Sequence, residues 1–113
     1  MVDASKFRID PINHKMFLQK AELDINEGAD FAIVKPAISN LDLILMLKQR
    51  YPSIPIAAYQ VSGEYAMIES AAEKNLLDKE TLVMELLNSI KRAGADMILT
   101  YHSLEAASII NSR

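Results

Sequence analysis

The stretch FAIVKP at residues 31–36 decides the fold that the sequence predicts. Four apolar residues run without interruption into Lys35, and Pro36 ends the run. A short continuous apolar run of this kind is typical of a strand that is covered on both faces, as in parallel sheets. The lysine that ends the strand has two interpretations. Its ammonium can reach water along the rim of the sheet, which is the commoner case, or apolar surroundings can favour the neutral amine, which is a nucleophile.

The composition is that of one globular domain. The 113 residues are 50% hydrophobic and 24% charged, and the net charge of −3 argues against nucleic acid or an anionic membrane as a main partner. The absence of cysteine excludes disulfides, thiolate catalysis and cysteine-bound zinc within this chain. The sequence has neither a signal-peptide pattern nor an apolar stretch long enough to span a bilayer. We therefore expect a soluble, cytoplasmic protein.

The spacing of apolar residues predicts helices that alternate with short strands. Residues 1–13 are expected to be irregular, with Asn13 as a candidate helix cap. The predicted helices cover residues 14–27, 41–49, 64–74, 79–93 and 104–110, and the predicted strands cover residues 31–35, 56–59 and 97–101. This alternation is typical of the α/β class with a parallel sheet.

A weak internal repeat supports this class. EGAD at residues 27–30 and AGAD at residues 93–96 each precede an apolar strand, and their glycines are 66 positions apart. Two βα units of about 33 residues each would span that distance. The length of one such unit is close to one eighth of a typical (β/α)8 barrel of about 250 residues. Adding 66 to Lys35 gives Tyr101, so we expect both residues at equivalent strand ends, on the edge that carries the active site in such barrels.

Three strands are too few to close a barrel of this type, which needs eight. An open piece would have two bare edges and an apolar face that is only half covered. Either the chain is part of a larger barrel, or it assembles with copies of itself or with another chain. A small doubly wound domain is the alternative fold, although three strands are few for that as well.

Three stretches carry candidate chemistry: VKPA at residues 34–37, AAYQVSGEY at residues 57–65 and LTY at residues 99–101. In the second, a strand runs into Ser62 and Gly63 at a helix N-terminus, where free N–H groups and the helix dipole favour an anion. Gly63 would allow a ligand to approach the backbone closely. Taken alone, Ser62 is more simply explained as an N-cap.

Three neighbouring side chains complete the candidates. The phenol of Tyr101 can donate a hydrogen bond to a carboxylate. His102 follows it on the rim, but a structural role is the simpler interpretation. Glu64 is interpreted as a residue that favours the N-terminal dipole of its helix.

These stretches, in this order and spacing, resemble porphobilinogen synthase, also called delta-aminolevulinic acid dehydratase. The resemblance covers nearly the whole chain, from FRIDP at residues 7–11 to LTY, and includes RAGAD at residues 92–96. The nine residues AAYQVSGEY, flanked by VKPA and LTY, make it specific. It implies a (β/α)8 TIM barrel and a homo-oligomer, usually an octamer. Residues 1–113 would then form a C-terminal segment of that barrel, carrying three βα units, strands six to eight.

The resemblance also implies an activity and roles for four residues. The family is a hydro-lyase that condenses two molecules of 5-aminolevulinate into porphobilinogen, for heme and other tetrapyrroles, through two Schiff-base lysines. Lys35 matches the second of these lysines. Ser62 and Tyr101 match residues that bind the carboxylate of the same substrate, and Tyr59 matches an aromatic residue beside the Schiff base.

Other parts of the family's site have no match in this chain. The second Schiff-base lysine and the basic residues for the other substrate lie upstream in the family. Zinc or magnesium serves full-length members, but the zinc ligands are absent here and we assign no metal ligand. Lys20 stands where many bacterial members have a glutamate for an allosteric magnesium, which argues against that site. We expect the isolated chain to be nearly inactive. The alternatives are that it binds one aminolevulinate without turnover, or that it is a self-associating structural piece.

Overall fold

The computed structural model describes residues 2–3 and 14–112, with side chains described from residue 14 onward. The predicted cap Asn13 therefore lies outside the described residues. In chain order the elements are β1 (Val2–Asp3), α1 (His14–Asn26), β2 (Ala32–Val34), a 3-10 helix (Ile38–Asn40), α2 (Leu41–Arg50), β3 (Ile56–Tyr59), α3 (Ser62–Glu73), α4 (Lys79–Ala93), β4 (Met97–Leu99) and α5 (Ser103–Asn111).

The strands form one parallel sheet in the order β1-β2-β3-β4. The α/β class with parallel strands is therefore confirmed. The prediction that residues 1–13 hold no regular structure is wrong for Val2–Asp3, which pairs with β2. Two residues are too few to carry an alternation of apolar and polar positions, so the pattern could not reveal this strand.

The boundaries of most elements agree with the sequence to within two residues. Helix α4 has the predicted bounds because Asp78 accepts a hydrogen bond from the backbone N–H of Thr81 at its start, and Gly94 follows its end. Strand β4 ends at Leu99 rather than at Tyr101. Helix α3 begins at Ser62, two residues earlier than predicted.

The main core lies between the helices and one face of the sheet. Helices α1 and α2 pack on strands β2 and β3 with support from α4. The buried residues of this cluster are Phe17, Ala21, Ala32, Val34, Ala37, Ile44, Leu47, Ile56, Ala58 and Ile90. A second cluster joins α3, α4 and α5 and consists of Ile68, Val83, Met84, Leu87 and Ala106.

The opposite face of the sheet is covered unevenly. Ala57 on β3 is 2% exposed, whereas Met97, its partner on β4, is 49% exposed and Leu99 is 45% exposed. On β2, Ile33 is only half-buried, so the prediction that this strand is covered on both faces holds in part. The predicted half-covered apolar face is present at β4.

The N-terminal end of the sheet is held by a junction between α4 and β4. Gly94 ends α4 with a φ of +124°, and a Cβ there would lie 3.1 Å from both Cβ and Cγ of Lys48. Asp96 accepts hydrogen bonds from Lys48 Nζ at 2.9 Å and from the N–H of Ile56 at 2.8 Å. These bonds, that from Lys48 first, lower the pKa of Asp96.

No helix in the described part of the chain is long and apolar enough to cross a membrane.

Candidate functional site

The candidate residues meet at the C-terminal edge of the sheet. Lys35 directly follows β2, Tyr59 is the last residue of β3, and Ser62 is the first residue of α3. Tyr101 stands two residues beyond β4. Because the strands are parallel, all four residues leave the sheet at the same edge.

The strand register corrects the position that the internal repeat predicts for Tyr101. Val34 pairs with Ala58, and Tyr59 pairs with Leu99, so Lys35 is level with Tyr59 and Leu99 rather than with Tyr101. The repeat counts residues along the chain and takes no account of how far neighbouring strands are staggered. Tyr101 is therefore at the predicted edge but two residues further out.

Lys35 lies against an aromatic ring. Its Nζ is 5.9 Å from the centroid of the Tyr59 ring, a distance at which a cation is attracted to the ring face. Both side chains are partly buried. Tyr59 therefore offers a partly apolar surface beside the amine, where a protonated imine formed on Lys35 would also be stabilised.

Tyr101 is linked to the same group of side chains. A hydrogen bond with Tyr59 raises the pKa of the Tyr101 phenol above its ordinary value of 10.0, with a smaller contribution from charge repulsion between the two rings' hydroxyl groups. The phenol is thus neutral near pH 7 and keeps its O–H. Tyr101 is 57% exposed, so a ligand can reach the phenol and take the place of Tyr59 as the acceptor of its hydrogen bond.

The start of α3 is open to solvent. Val61 takes the N-cap position, so the simpler interpretation of Ser62 as an N-cap is wrong, and Ser62 is instead the first helical residue. Ser62 and Gly63 are both exposed, and a Cβ added at Gly63 would meet no atom within 4 Å. A ligand carboxylate has room here to approach the first N–H groups of the helix.

Glu64 is a residue of this site that the sequence interpretation understated. It is 4% exposed and accepts hydrogen bonds from the N–H groups of Ala37 at 3.1 Å, Ile38 at 2.7 Å and Val61 at 2.9 Å. Its position in the first turn of α3 suits a carboxylate, as predicted. Two of its partners lie in the segment after Lys35, about 27 positions away, and no local pattern marks that contact.

A second network lies beside Tyr101. The Tyr65 ring is tilted against the rings of both Tyr101 and His102, at centroid distances of 5.6 and 4.6 Å. His102 is buried, and its Nε2 lies 2.9 Å from Oε1 of Glu69. The structural interpretation of His102 therefore agrees with its surroundings.

Three potential metal ligands, Glu69, His102 and Glu105, have ligand atoms within 4.8 Å of one another. Lys79 Nζ forms ion pairs with Glu69 at 2.8 Å and with Glu105 at 3.2 Å. The bonds from Lys79 and then His102 lower the pKa of Glu69, and the carboxylates raise the pKa of Lys79. Because the ammonium of Lys79 already pairs with both carboxylates, we assign no metal to them. Lys20 is exposed on α1.

The chain matches one protein family along almost its entire length. Residues 1–109 match the family model described as "Delta-aminolevulinic acid dehydratase". A protein of that name from Synechococcus elongatus is 49% identical over 105 residues, which are 93% of this chain and 32% of the relative. A chloroplastic protein of that name from Glycine max is 47% identical over 105 residues, 93% of this chain and 25% of the relative.

A solved structure gives the same result in three dimensions. The delta-aminolevulinic acid dehydratase (porphobilinogen synthase) of Toxoplasma gondii, in complex with the reaction product porphobilinogen, superimposes with a TM-score of 0.86 at 42% identity. The match covers 89% of this chain and 28% of that protein. The chain thus spans about a third of the length of the Synechococcus relative. With the family model, the curated relatives and the fold in agreement, the chain belongs to the delta-aminolevulinic acid dehydratase family.

Proposed function

We propose that this chain carries one half of a two-lysine site for 5-aminolevulinate, with Lys35 as the amine that forms a Schiff base. The observation that carries the proposal is the position of Lys35, which follows a parallel strand and has its Nζ 5.9 Å from the Tyr59 ring. The anion-binding start of α3 and the phenol of Tyr101 leave the same edge. Membership of the family supports the choice of substrate.

The proposed chemistry needs few groups. The neutral Lys35 amine attacks the ketone carbon of the substrate, a C–N bond forms, and water leaves after proton transfer to the former ketone oxygen. The resulting iminium draws electrons from the neighbouring carbon, which can then lose a proton. Tyr59 stabilises the positive charge by a cation–π contact. Ser62, with the first N–H groups of α3, and the O–H of Tyr101 bind the substrate carboxylate.

The complete condensation requires more of the protein than this chain. In the family two aminolevulinates combine, and a second lysine activates the other substrate. The chain spans 32% of the Synechococcus relative, and we propose that it corresponds to strands six to eight of a (β/α)8 barrel within a homo-oligomer. Alone it forms the imine but not porphobilinogen. A cytoplasmic location stays a prediction.

Covalent capture tests the role of Lys35. The chain is incubated with 5-aminolevulinate and cyanoborohydride, which reduces an imine to a stable amine, and the modified lysine is located by peptide mass mapping. We expect one adduct, on Lys35, and none in Lys35→Met. Lys91→Met is the matched control because Lys91 is exposed on α4. Adducts distributed over the lysines with no preference for Lys35 would contradict the proposal.

A chimera tests the place of the chain in the enzyme. This chain replaces the 105 matched residues of the Synechococcus relative, and porphobilinogen formation is measured colorimetrically. We expect activity that disappears in Lys35→Met, whereas the 113-residue chain alone makes no porphobilinogen. A folded chimera whose activity survives Lys35→Met would rule out the assigned lysine.

A structural role is the second candidate. It is favoured by the exposed apolar side chains of Met97 and Leu99 on β4, which would be covered if copies of the chain associate. Sedimentation velocity decides between the two candidates when combined with the capture experiment. Association without a Lys35 adduct would favour the structural role, and a monomer that forms the adduct would remove it.

A further inference from the structure

We propose that Glu64 is a positioning residue that fixes the distance between Lys35 and the anion-binding start of α3. This inference rests on the proposed function, because it concerns the spacing between the group that takes the ketone and the group that takes the carboxylate. Glu64 itself is not placed in contact with the ligand. It acts through the backbone segments on either side of the site.

The carboxylate of Glu64 joins two segments that are separate in the sequence. Oε1 accepts hydrogen bonds from the N–H of Ala37 at 3.1 Å and from that of Val61 at 2.9 Å, and Oε2 accepts one from Ile38 at 2.7 Å. Ala37 is two residues after Lys35, and Val61 directly precedes Ser62 in the sequence. One side chain therefore ties the backbone after the amine to the backbone before the anion site.

The charge of Glu64 is satisfied by backbone dipoles. Val61 is the N-cap of α3, and Ala37 is the N-cap of the 3-10 helix. The two helix starts direct free N–H groups at one carboxylate, which is 4% exposed. A buried carboxylate needs such partners, and three N–H donors provide them. Loss of the carboxylate would leave the two helix starts with unpaired donors and no common anchor.

A purely stabilising role would give a different result from a positioning role. If Glu64 only stabilises the fold, its replacement should slow the capture of every ketone equally. If it sets the spacing, only a ligand that must reach both ends of the site should suffer. The ratio of capture rates for two ketones, one with a carboxylate and one without, separates the two roles.

The test compares 4-oxopentanoate, which has a ketone and a carboxylate, with butan-2-one, which has the ketone alone. Adduct formation on Lys35 with cyanoborohydride is followed by intact mass in the 113-residue chain. We expect Glu64→Gln to lower the preference for 4-oxopentanoate about tenfold, since small displacements of a bound group have effects of this size. Capture of butan-2-one should change less than about twofold.

Two further variants control for the loss of charge and for the loss of a single hydrogen bond. Glu73→Gln removes the same charge from an exposed position on the same helix and should leave the preference unchanged. Val61→Pro removes one of the three N–H donors while leaving Glu64 in place, and the φ of −80° at Val61 is one that proline adopts. We expect it to lower the preference less than Glu64→Gln does.

The outcomes separate this inference from the proposed function. A Lys35 adduct whose preference is unchanged in both Glu64→Gln and Val61→Pro would overturn the positioning role alone. Equal losses with both ketones would also overturn it and leave Glu64 with a stabilising role. No Lys35 adduct in the unsubstituted chain would overturn the proposed function and the inference with it.

Discussion

The two ends of the sheet each have a lysine, and the two lysines contact different kinds of side chain. At the N-terminal end, Lys48 Nζ is 2.9 Å from a carboxylate oxygen of Asp96 and completes the junction between α4 and β4. At the C-terminal end, Lys35 Nζ lies 5.9 Å from the centroid of the Tyr59 ring. The carboxylate holds Lys48 by a hydrogen-bonded ion pair, whereas the ring of Tyr59 offers Lys35 a surface without a hydrogen-bond acceptor in its face. The N-terminal contact joins two elements of the fold, and the C-terminal contact lies where the proposed chemistry would take place.

The largest expected effect is the difference in adduct formation between a variant that lacks Lys35 and one that lacks Lys48. Lys35→Met should abolish the adduct trapped with cyanoborohydride and change the free energy of unfolding by less than about 0.5 kcal/mol, as for most surface substitutions. Lys48→Met should keep the adduct. Mass spectrometry and urea denaturation measure the two quantities on the same samples. Loss of the adduct in both variants would remove the contrast between the ends.

The glycine at the N-terminal junction should give the largest loss of stability. Gly94→Ala must adopt a φ near +124° and place its Cβ 3.1 Å from Lys48 Cβ, so we expect a loss of about 2 kcal/mol. Gly28 ends α1 at a φ of +101° with no atom within 4 Å of an added Cβ, and its alanine variant should lose about 1 kcal/mol. Urea denaturation checks both values. Equal losses would show that the contact with Lys48 costs nothing.

At the C-terminal end, Tyr101→Phe tests whether the phenol donates a hydrogen bond to the carboxylate of the ligand. Removing the O–H should slow capture of 4-oxopentanoate about tenfold, since a hydrogen bond to a charged group contributes roughly 1.5–3 kcal/mol. Capture of butan-2-one should be unaffected. Tyr51→Phe, at the C-terminus of α2 and thus at the other end of the sheet, is the control. A tenfold effect on both ketones would mean that Tyr101 acts on the amine instead.

The smallest expected effect is a dependence of stability on acid pH. Lys48 and the N–H of Ile56 lower the pKa of Asp96 in the folded protein below its ordinary value of 3.8. The stabilisation is therefore complete above about pH 5 and is lost as the pH falls through the folded pKa. Asp96→Asn should lower stability at pH 7 by less than about 1 kcal/mol, because the pair is partly exposed.

Asp96→Asn should also make the decline of stability below pH 4 less steep. Urea denaturation at a series of pH values measures the free energy of unfolding across this range. Glu69, whose pKa is lowered by Lys79 and His102, remains in the variant, so part of the decline should persist. An acid decline identical to that of the unsubstituted chain would mean that Asp96 contributes nothing to it.

Local patterns predicted the elements well and the contacts between them poorly. The bounds of α4 were predicted from its apolar stripe and from Gly94, which are neighbours in the sequence, and the structure adds the cap at Asp78. The partners of Glu64 are 26 and 27 positions away, and the exposure of Met97 depends on what covers β4. Neither can be deduced from spacing.

The candidate site shows the same division. The edge shared by Lys35 and Tyr101 followed from parallel strands, but the stagger between strands moved Tyr101 by two residues. Serine is a common N-cap residue, but Ser62 is not the N-cap here. Glu64, at the third helical position, accepts a hydrogen bond from the N–H of Val61, so that Val61 is the N-cap and the helix begins at Ser62. The position of Tyr101 and the start of α3 both depend on contacts between residues in the folded structure.

The strand order β1-β2-β3-β4 follows the chain, and this order governs how the sheet can form over time. Ala32 pairs with Ile56, 24 positions later, whereas Ala57 pairs with Met97, 40 positions later. Closing the longer loop costs more entropy, although only by a few tenths of a kcal/mol. Each strand also pairs with a predecessor that is already synthesised, so assembly can proceed from the N-terminus without waiting for later residues. In refolding, where the whole chain is present, only the shorter loop favours β2 and β3, so pulsed hydrogen exchange should find protection there before β4, and the reverse order would exclude a controlling role for loop length.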